Sequence, residues 1–307
     1  MTASARRLDR QPGLLDGLAG DGRPLVAAGA LAFLASGLFL VLLGASAAFL
    51  PHDLAFVGLT GHEIGVIADQ RVVAFMVHDR VAFGGALIAA AILHLWLVRF
   101  GLAERPALAW LTLAASAGAG FVSFLAFLGF GYLDAWHSVA TILVLALYAM
   151  GLWRLRVALH GLRARDILAG RPGSGRLLLV IAAVGLAGGG LAVLAVGATE
   201  VFVPSDMTFI GHEAAVLAAL DPELVPLIAH DRASFGGAVL STGLATLGVA
   251  AWMPPSRSRT QVLALAGLAG FGAALGIHVA VGYLDVVHLA PAVAGAAVYA
   301  VGLAVEG

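Results

Sequence analysis

The sequence contains no cysteine and no lysine. The missing cysteine excludes disulfides, zinc–thiolate sites, iron–sulfur clusters and thiol catalysis. The missing lysine leaves arginine as the only permanently cationic side chain, and in an Ala/Gly-rich chain this points to GC-rich coding rather than to chemistry. Charge as a whole is scarce. Asp, Glu and Arg make up 11% of the 307 residues, against roughly 25% in a soluble domain. There is no Walker loop, no dinucleotide fingerprint following a strand, no Gly-x-Ser-x-Gly elbow and no nucleic-acid signature, so no nucleic-acid partner is implied.

What the chain has is apolar sequence, 61% of all residues. It is arranged in runs of about 20 residues or more, the length that crosses a bilayer. Eight such runs are expected, at residues 25–49, 73–99, 107–130, 135–154, 177–199, 225–252, 261–281 and 286–304. The fold class is therefore an all-α integral membrane protein with a lipid bilayer as its surroundings. Ala45-Ser46-Ala47 and Arg6-Arg7 resemble a signal-peptidase site and a twin-arginine signal. The run between them is longer than the ~7–15 residues of a signal peptide's apolar region, and a similar run recurs in mid-chain. It is read as a span.

The polar residues are not scattered; they recur. His78-Asp79-Arg80-x-x-Phe83-Gly84-Gly85 returns as His230-Asp231-Arg232-x-x-Phe235-Gly236-Gly237. Phe49-Leu50-Pro51-x-Asp53 pairs with Phe202-Val203-Pro204-x-Asp206, and Gly61-His62-Glu63 with Gly211-His212-Glu213. Gly131-Tyr132-Leu133-Asp134-x-x-His137 pairs with Gly282-Tyr283-Leu284-Asp285-x-x-His288. The expected layout is a cytoplasmic tail (1–23), a first four-helix repeat (24–154), a basic cytoplasmic linker (155–176) and a second four-helix repeat (177–304). Four spans per half return the chain to its starting side. The halves are then parallel, related by a pseudo-two-fold axis along the membrane normal.

Arginine sets the orientation, because cytoplasmic loops carry the excess of positive charge. With the N-terminus inside, 14 of the 17 Arg are cytoplasmic and only Arg71, Arg80 and Arg232 lie on the other side. Six of the 14 fall between Arg154 and Arg176, a stretch that sets topology and is suited to anionic headgroups. Localisation follows as a multi-pass protein of a bacterial-type plasma (inner) membrane with both termini cytoplasmic.

Every repeated ionisable motif then maps to the extracytoplasmic end. The candidate cluster is His62, Glu63, His78, Asp79, Arg80, Asp134 and His137 with His212, Glu213, His230, Asp231, Arg232, Asp285 and His288. Thr60-Gly61-His62-Glu63 has the pattern of a capped short helix. His78, Asp79 and Arg80 are consecutive, so on a helix they diverge by about 100° each. They are expected in the first turns of the second span, addressing different neighbours rather than each other, with Asp134 or Asp285 as partners for Arg80. Such groups cost roughly 2.5–3.5 kcal/mol each at membrane depth and face the bundle interior or water. Asp134 and Asp285 suit helix N-caps, three residues before a histidine. The tandem glycines one turn deeper suit close helix packing.

Two His and one carboxylate per half would also suit a divalent metal, with His78, Asp134 and His137 in one half and His230, Asp285 and His288 in the other. No His-Glu-x-x-His occurs on one helix. His94 and His278 lie in spans without counterparts in the other half, which disfavours a two-His haem. Three functions stay open: binding or transport of a cation or small ligand, an accessory or structural role with a protein partner, and a metal-dependent enzyme or redox subunit.

Overall fold

A computed structural model describes residues 20–132, 135–160, 162 and 173–306, and only the backbone of 127 and 128. Among the described residues the structure is helical throughout. Eight helices are long and apolar enough to cross a membrane. They are α1 (Arg23–Ala45), α4 (Gln70–Trp96), α5 (Pro106–Ser123), α6 (Ala135–Leu155), α7 (Ser174–Ala198), α10 (Leu224–Trp252), α11 (Arg257–Val281) and α12 (Val286–Glu306). Four seven-residue helices lie between them: α2 (Pro51–Val57), α3 (Gly61–Ile67), α8 (Pro204–Ile210) and α9 (Ala214–Leu220).

Local chemistry sets the boundaries. Proline opens α1, α2, α5 and α8, where its missing N–H has no helical partner to lose. Gly282 closes α11 at φ 75°, a left-handed conformation that favours glycine. The first run stops at Ala45, four residues earlier than its hydropathy suggests, and Ala47 turns the chain at φ 50°. The second runs on beyond Trp96 through a π turn at Leu97–Gly101 to Glu104. There Pro106 bars Arg105 from the helical region.

Two helices form the core. In the most apolar stretch of α4 and of α10, 72% of the residues are buried, against 11–39% in the other six spans. These two pack on each other, and the rest surround them. α1 lies on α4 and α7 on α10. The third spans cross over: α5 packs on α10, and α11 packs on α4. α6 backs α1 and α12 backs α7. The outer helices turn apolar side chains outward, Trp136 and Val287 among them, as a lipid-facing surface requires.

The tandem glycines make this packing. A Cβ on Gly84 would lie 2.7 Å from the Gly37 carbonyl oxygen of α1, and one on Gly85 would collide with Ala273 of α11. One on Gly236 would strike Leu194 of α7, and one on Gly237 would strike Ser123 of α5. Each pair therefore seats two helices against one core helix at backbone distance. The short helices sit at the end where α4 and α10 begin. There Val57, Ile64, Phe75, Phe202, Ile210 and Leu217 form an apolar roof. This is the capped end.

Candidate functional site

Beneath that roof lie the recurring His-Asp-Arg strings. They occupy the third turn of α4 and the second to third turns of α10, near the starts of both helices. All six side chains are buried.

Arg80 is bound on two sides. Its Nε donates to Asp231 Oδ2 of α10 at 2.7 Å, and its Nη2 lies 2.9 Å from Asp53 Oδ2 of α2. Tyr132 donates its hydroxyl to the other oxygen of Asp53. Arg232 Nη1 donates to Asp206 Oδ2 of α8 at 2.6 Å, and Tyr283 donates to Asp206 Oδ1 at 2.8 Å. Each guanidinium also lies over an aromatic ring, Arg80 over Phe49 and Arg232 over Phe75, at 5.0 Å. The partners of Arg80 are thus Asp53 and Asp231, not Asp134 or Asp285. Asp285 is used locally, its Oδ1 accepting from the His288 backbone N–H at 2.7 Å as the cap of α12. Asp134 lies outside the described residues. Tyr283 is held protonated well above the usual phenol range, first by burial, with the adjacent Asp206 acting the same way.

The histidines fall into two groups. His78 Nε2 meets His278 Nε2 at 3.1 Å. A ring nitrogen of His288 joins them, so that three imidazoles each place one nitrogen within 4.8 Å of the others. In the second group, His230 packs on Tyr132 at 4.6 Å between ring centroids, His137 lies 5.3 Å from His230, and His52 lies 4.8 Å from His137. The expected ligand sets are therefore exchanged between halves: His78 stands with His288 rather than His137, and His230 stands with His137.

Adjacent members of the string also touch, contrary to the expectation from helical divergence. His78 Nδ1 lies 3.0 Å from Asp79 Oδ1, and His230 Nδ1 lies 3.3 Å from Asp231 Oδ1. Side chains on a helix lean along its axis, which closes the angle that a radial projection leaves open. The His78–Asp79 approach is too bent to count as a formed hydrogen bond, and among the described residues neither oxygen of Asp79 accepts one. Arg232 lies close enough to feel the Asp79 charge.

His62, Glu63, His212 and Glu213 stay out of this assembly. His62, Glu63 and Glu213 are exposed, and His212 is half-buried. Glu63 forms the expected capping box, its Oε2 accepting from Thr60 N–H at 2.7 Å while its own N–H donates to Thr60 Oγ1 at 3.2 Å. That bonding holds its carboxyl below the usual carboxylate range. Asp53, Asp206, Tyr132, Tyr283, His52 and His278 belong to the site, although composition and motif clustering did not select them. The first four were visible as members of the recurring strings. His278 and His52 carried no such signal.

Deeper in the bundle, His94 is fully buried with both ring nitrogens satisfied, Nδ1 by Tyr148 Oη at 2.6 Å and Nε2 by Ser116 Oγ at 2.8 Å. Ser116 in turn reaches the Ser241 carbonyl of α10 at 2.8 Å. This network joins helices and has no bond to spare for a ligand. No family model matches the chain, and no curated protein or solved structure matches it.

Proposed function

We propose that the chain is a multi-pass protein of a bacterial-type plasma membrane that binds an inorganic cation at its capped, extracytoplasmic end. One observation carries the reading. Among the described residues, Asp53, Asp79, Asp206 and Asp231 are buried at that end beside two buried cations, Arg80 and Arg232. With neutral imidazoles the capped end holds an excess of two negative charges. Burying an uncompensated charge costs several kcal/mol, whereas a bound cation restores balance. A pure strut between helix ends would pair its charges one to one.

The orientation is supported by the arginine distribution, 14 of 17 on the opposite side of the membrane from Arg71, Arg80 and Arg232. An arrangement of two four-helix halves about a pseudo-two-fold axis along the membrane normal is supported by the contacts. Arg80 meets Asp53 as Arg232 meets Asp206, and α5 on α10 answers α11 on α4.

The test is thermal unfolding of the detergent-purified chain against chloride salts of Na, Mg, Ca, Mn, Zn and Cu at fixed ionic strength. The expected result is a saturable rise in Tm with at least one cation, reduced in Asp79→Asn. A Tm that no cation moves would remove the reading.

A further inference from the structure

We propose that the cation is a divalent transition-metal ion held by His78, His278 and His288. The inference rests on the cation-binding reading and names its ligand.

The proton inventory of the three rings carries it. His278 Nδ1 lies 2.7 Å from the Ala274 carbonyl oxygen. A carbonyl only accepts, so the ring proton of neutral His278 sits on Nδ1 and Nε2 presents a lone pair. His78 Nδ1 lies 3.0 Å from Asp79 Oδ1, off the line of a formed hydrogen bond but close enough for the carboxylate charge to bias the ring. A lone pair against a carboxylate is repulsive, so the proton of His78 also sits on Nδ1. Its Nε2 is then a lone pair too. Yet the two Nε2 atoms face each other at 3.1 Å. Two lone pairs at that distance repel unless a shared proton or a metal ion lies between them, and the third nitrogen converging on the same place is one that a proton shared by two rings leaves unused. Nitrogens bound to one tetrahedral zinc at about 2.0–2.1 Å stand about 3.3 Å apart, close to what is found.

His288 completes the set. Tyr283 donates its hydroxyl proton to Asp206, so the Tyr283 oxygen is an acceptor toward His288 Nδ1 at 3.1 Å. Ser205 Oγ, 3.3 Å from the same nitrogen, can accept as well, so a proton on Nδ1 has two oxygens to meet and Nε2 is left as the donor atom. Behind the ligands stand Asp79, Ala274 and Tyr283. A carboxylate, carbonyl or hydroxyl on the far nitrogen fixes a ligating imidazole and raises its basicity.

The donor set selects the metal class. Three imidazole nitrogens suit zinc, copper, nickel or iron, whereas magnesium and calcium take oxygen ligands. A metal with charge +2 also cancels the buried excess. The His78 and His278 nitrogens are too close for a macrocycle between them, so the site is not a haem pocket. Three protein ligands leave a fourth position open, as in zinc sites that bind water or substrate. The His288 side chain, 18% exposed beside Ser205, marks the side from which a ligand reaches it.

The experiment is equilibrium dialysis of the chelator-stripped full chain in detergent, against Zn(II) and separately Cu(II), with bound metal measured by mass spectrometry. One metal ion per chain is expected. His278→Phe, which places at 278 the residue the first half carries at 127, should weaken binding by about 100-fold or more, and Asp79→Asn by about 10–100-fold. His137→Phe should leave affinity unchanged. If His278→Phe fails to fold, His288→Asn on the rim makes the same test. Wild-type protein that binds neither metal, or that binds equally well as His278→Phe and His288→Asn, overturns the proposal. Stabilisation by Na, Mg or Ca without binding of Zn or Cu overturns it too, while leaving the cation reading intact. No binding and no stabilisation by any cation removes both.

Discussion

Two histidine groups lie side by side at the capped end, on nearly the same framework, and only one forms a convergent donor set among the described residues. Both have an Arg–Asp pair between a short helix and a core helix, and a tyrosine donating to the same Asp. Two of the differences between them involve histidine. The first half carries His52 where the second carries Ser205, and Phe127 where the second carries His278. His52 lies edge-on to His137 and Tyr132 edge-on to His230, so the first group meets ring edge to ring face. His278 comes in from α11 and meets His78 nose to nose, so the second group is a set of opposed nitrogens. The framework is shared and rings pack in both groups, but in the second His278 adds the nitrogen that converges with those of His78 and His288.

The arginines belong to the shared framework, and removing one should have the largest effect on stability. Arg80→Met strands the carboxylates of Asp53 and Asp231 in a buried site. Breaking a buried pair this way costs about 3–5 kcal/mol. Arg232→Met strands Asp206 and leaves Asp79 without its nearby counter-charge, at a similar cost. Denaturant unfolding in micelles should show both losses, and Asp53→Asn should recover part of the loss from Arg80→Met. If Arg80→Met were neutral while Arg232→Met were severe, the halves would not share a framework and the comparison would break.

The tyrosines sharpen it. Tyr132→Phe and Tyr283→Phe each leave one buried carboxylate oxygen with one bond fewer, a loss of about 1–3 kcal/mol. The stability cost should be alike in the two halves. Metal affinity should divide them. Tyr283 also orients His288, so Tyr283→Phe should lower zinc affinity by about 10-fold or more, and Tyr132→Phe should not change it. Equal affinities in both variants would mean that the His288 ring does not depend on Tyr283.

Much of this architecture could be read before any coordinates. Length and hydropathy are enough to place eight apolar helices, because in lipid a helix must satisfy its own backbone and so advertises itself as an unbroken run. The recurring His-Asp-Arg strings marked α4 and α10 as the helices that carry ionisable side chains, and these prove to be buried. Partner choice was not legible. A string on one helix does not say which neighbour it faces, and the third spans cross over, so that α11 rather than α5 lies against α4. His78 consequently meets a histidine 200 residues away in sequence. His278 stood alone in its span without a counterpart, and isolation reads as unimportance when the search is for repetition. The capping box at Thr60–Glu63 was legible because it is local: its bonds run between two residues three apart in sequence.

That box supplies the smallest effect and the last point of comparison. In α3, Thr60 and Glu63 close the box, whereas α9 has Glu213 as its N-cap with no side-chain bond to the first turn. The Glu63 carboxyl titrates below its ordinary value of 4.5 because Thr60 donates to its charged form. A depressed acid contributes stability that is complete above its unfolded pKa and is lost as pH falls through the folded one. Hydrogen exchange at 60–67, corrected for the intrinsic pH dependence of exchange, should therefore lose protection as pH drops below the ordinary carboxylate range. Glu63→Gln should be less protected than wild type at neutral pH, because a neutral amide is a weaker acceptor than the carboxylate. Glu213→Gln should leave protection at 213–220 unchanged. An equal response in both short helices would show that charge near a helix start, and not the closed box, governs their stability.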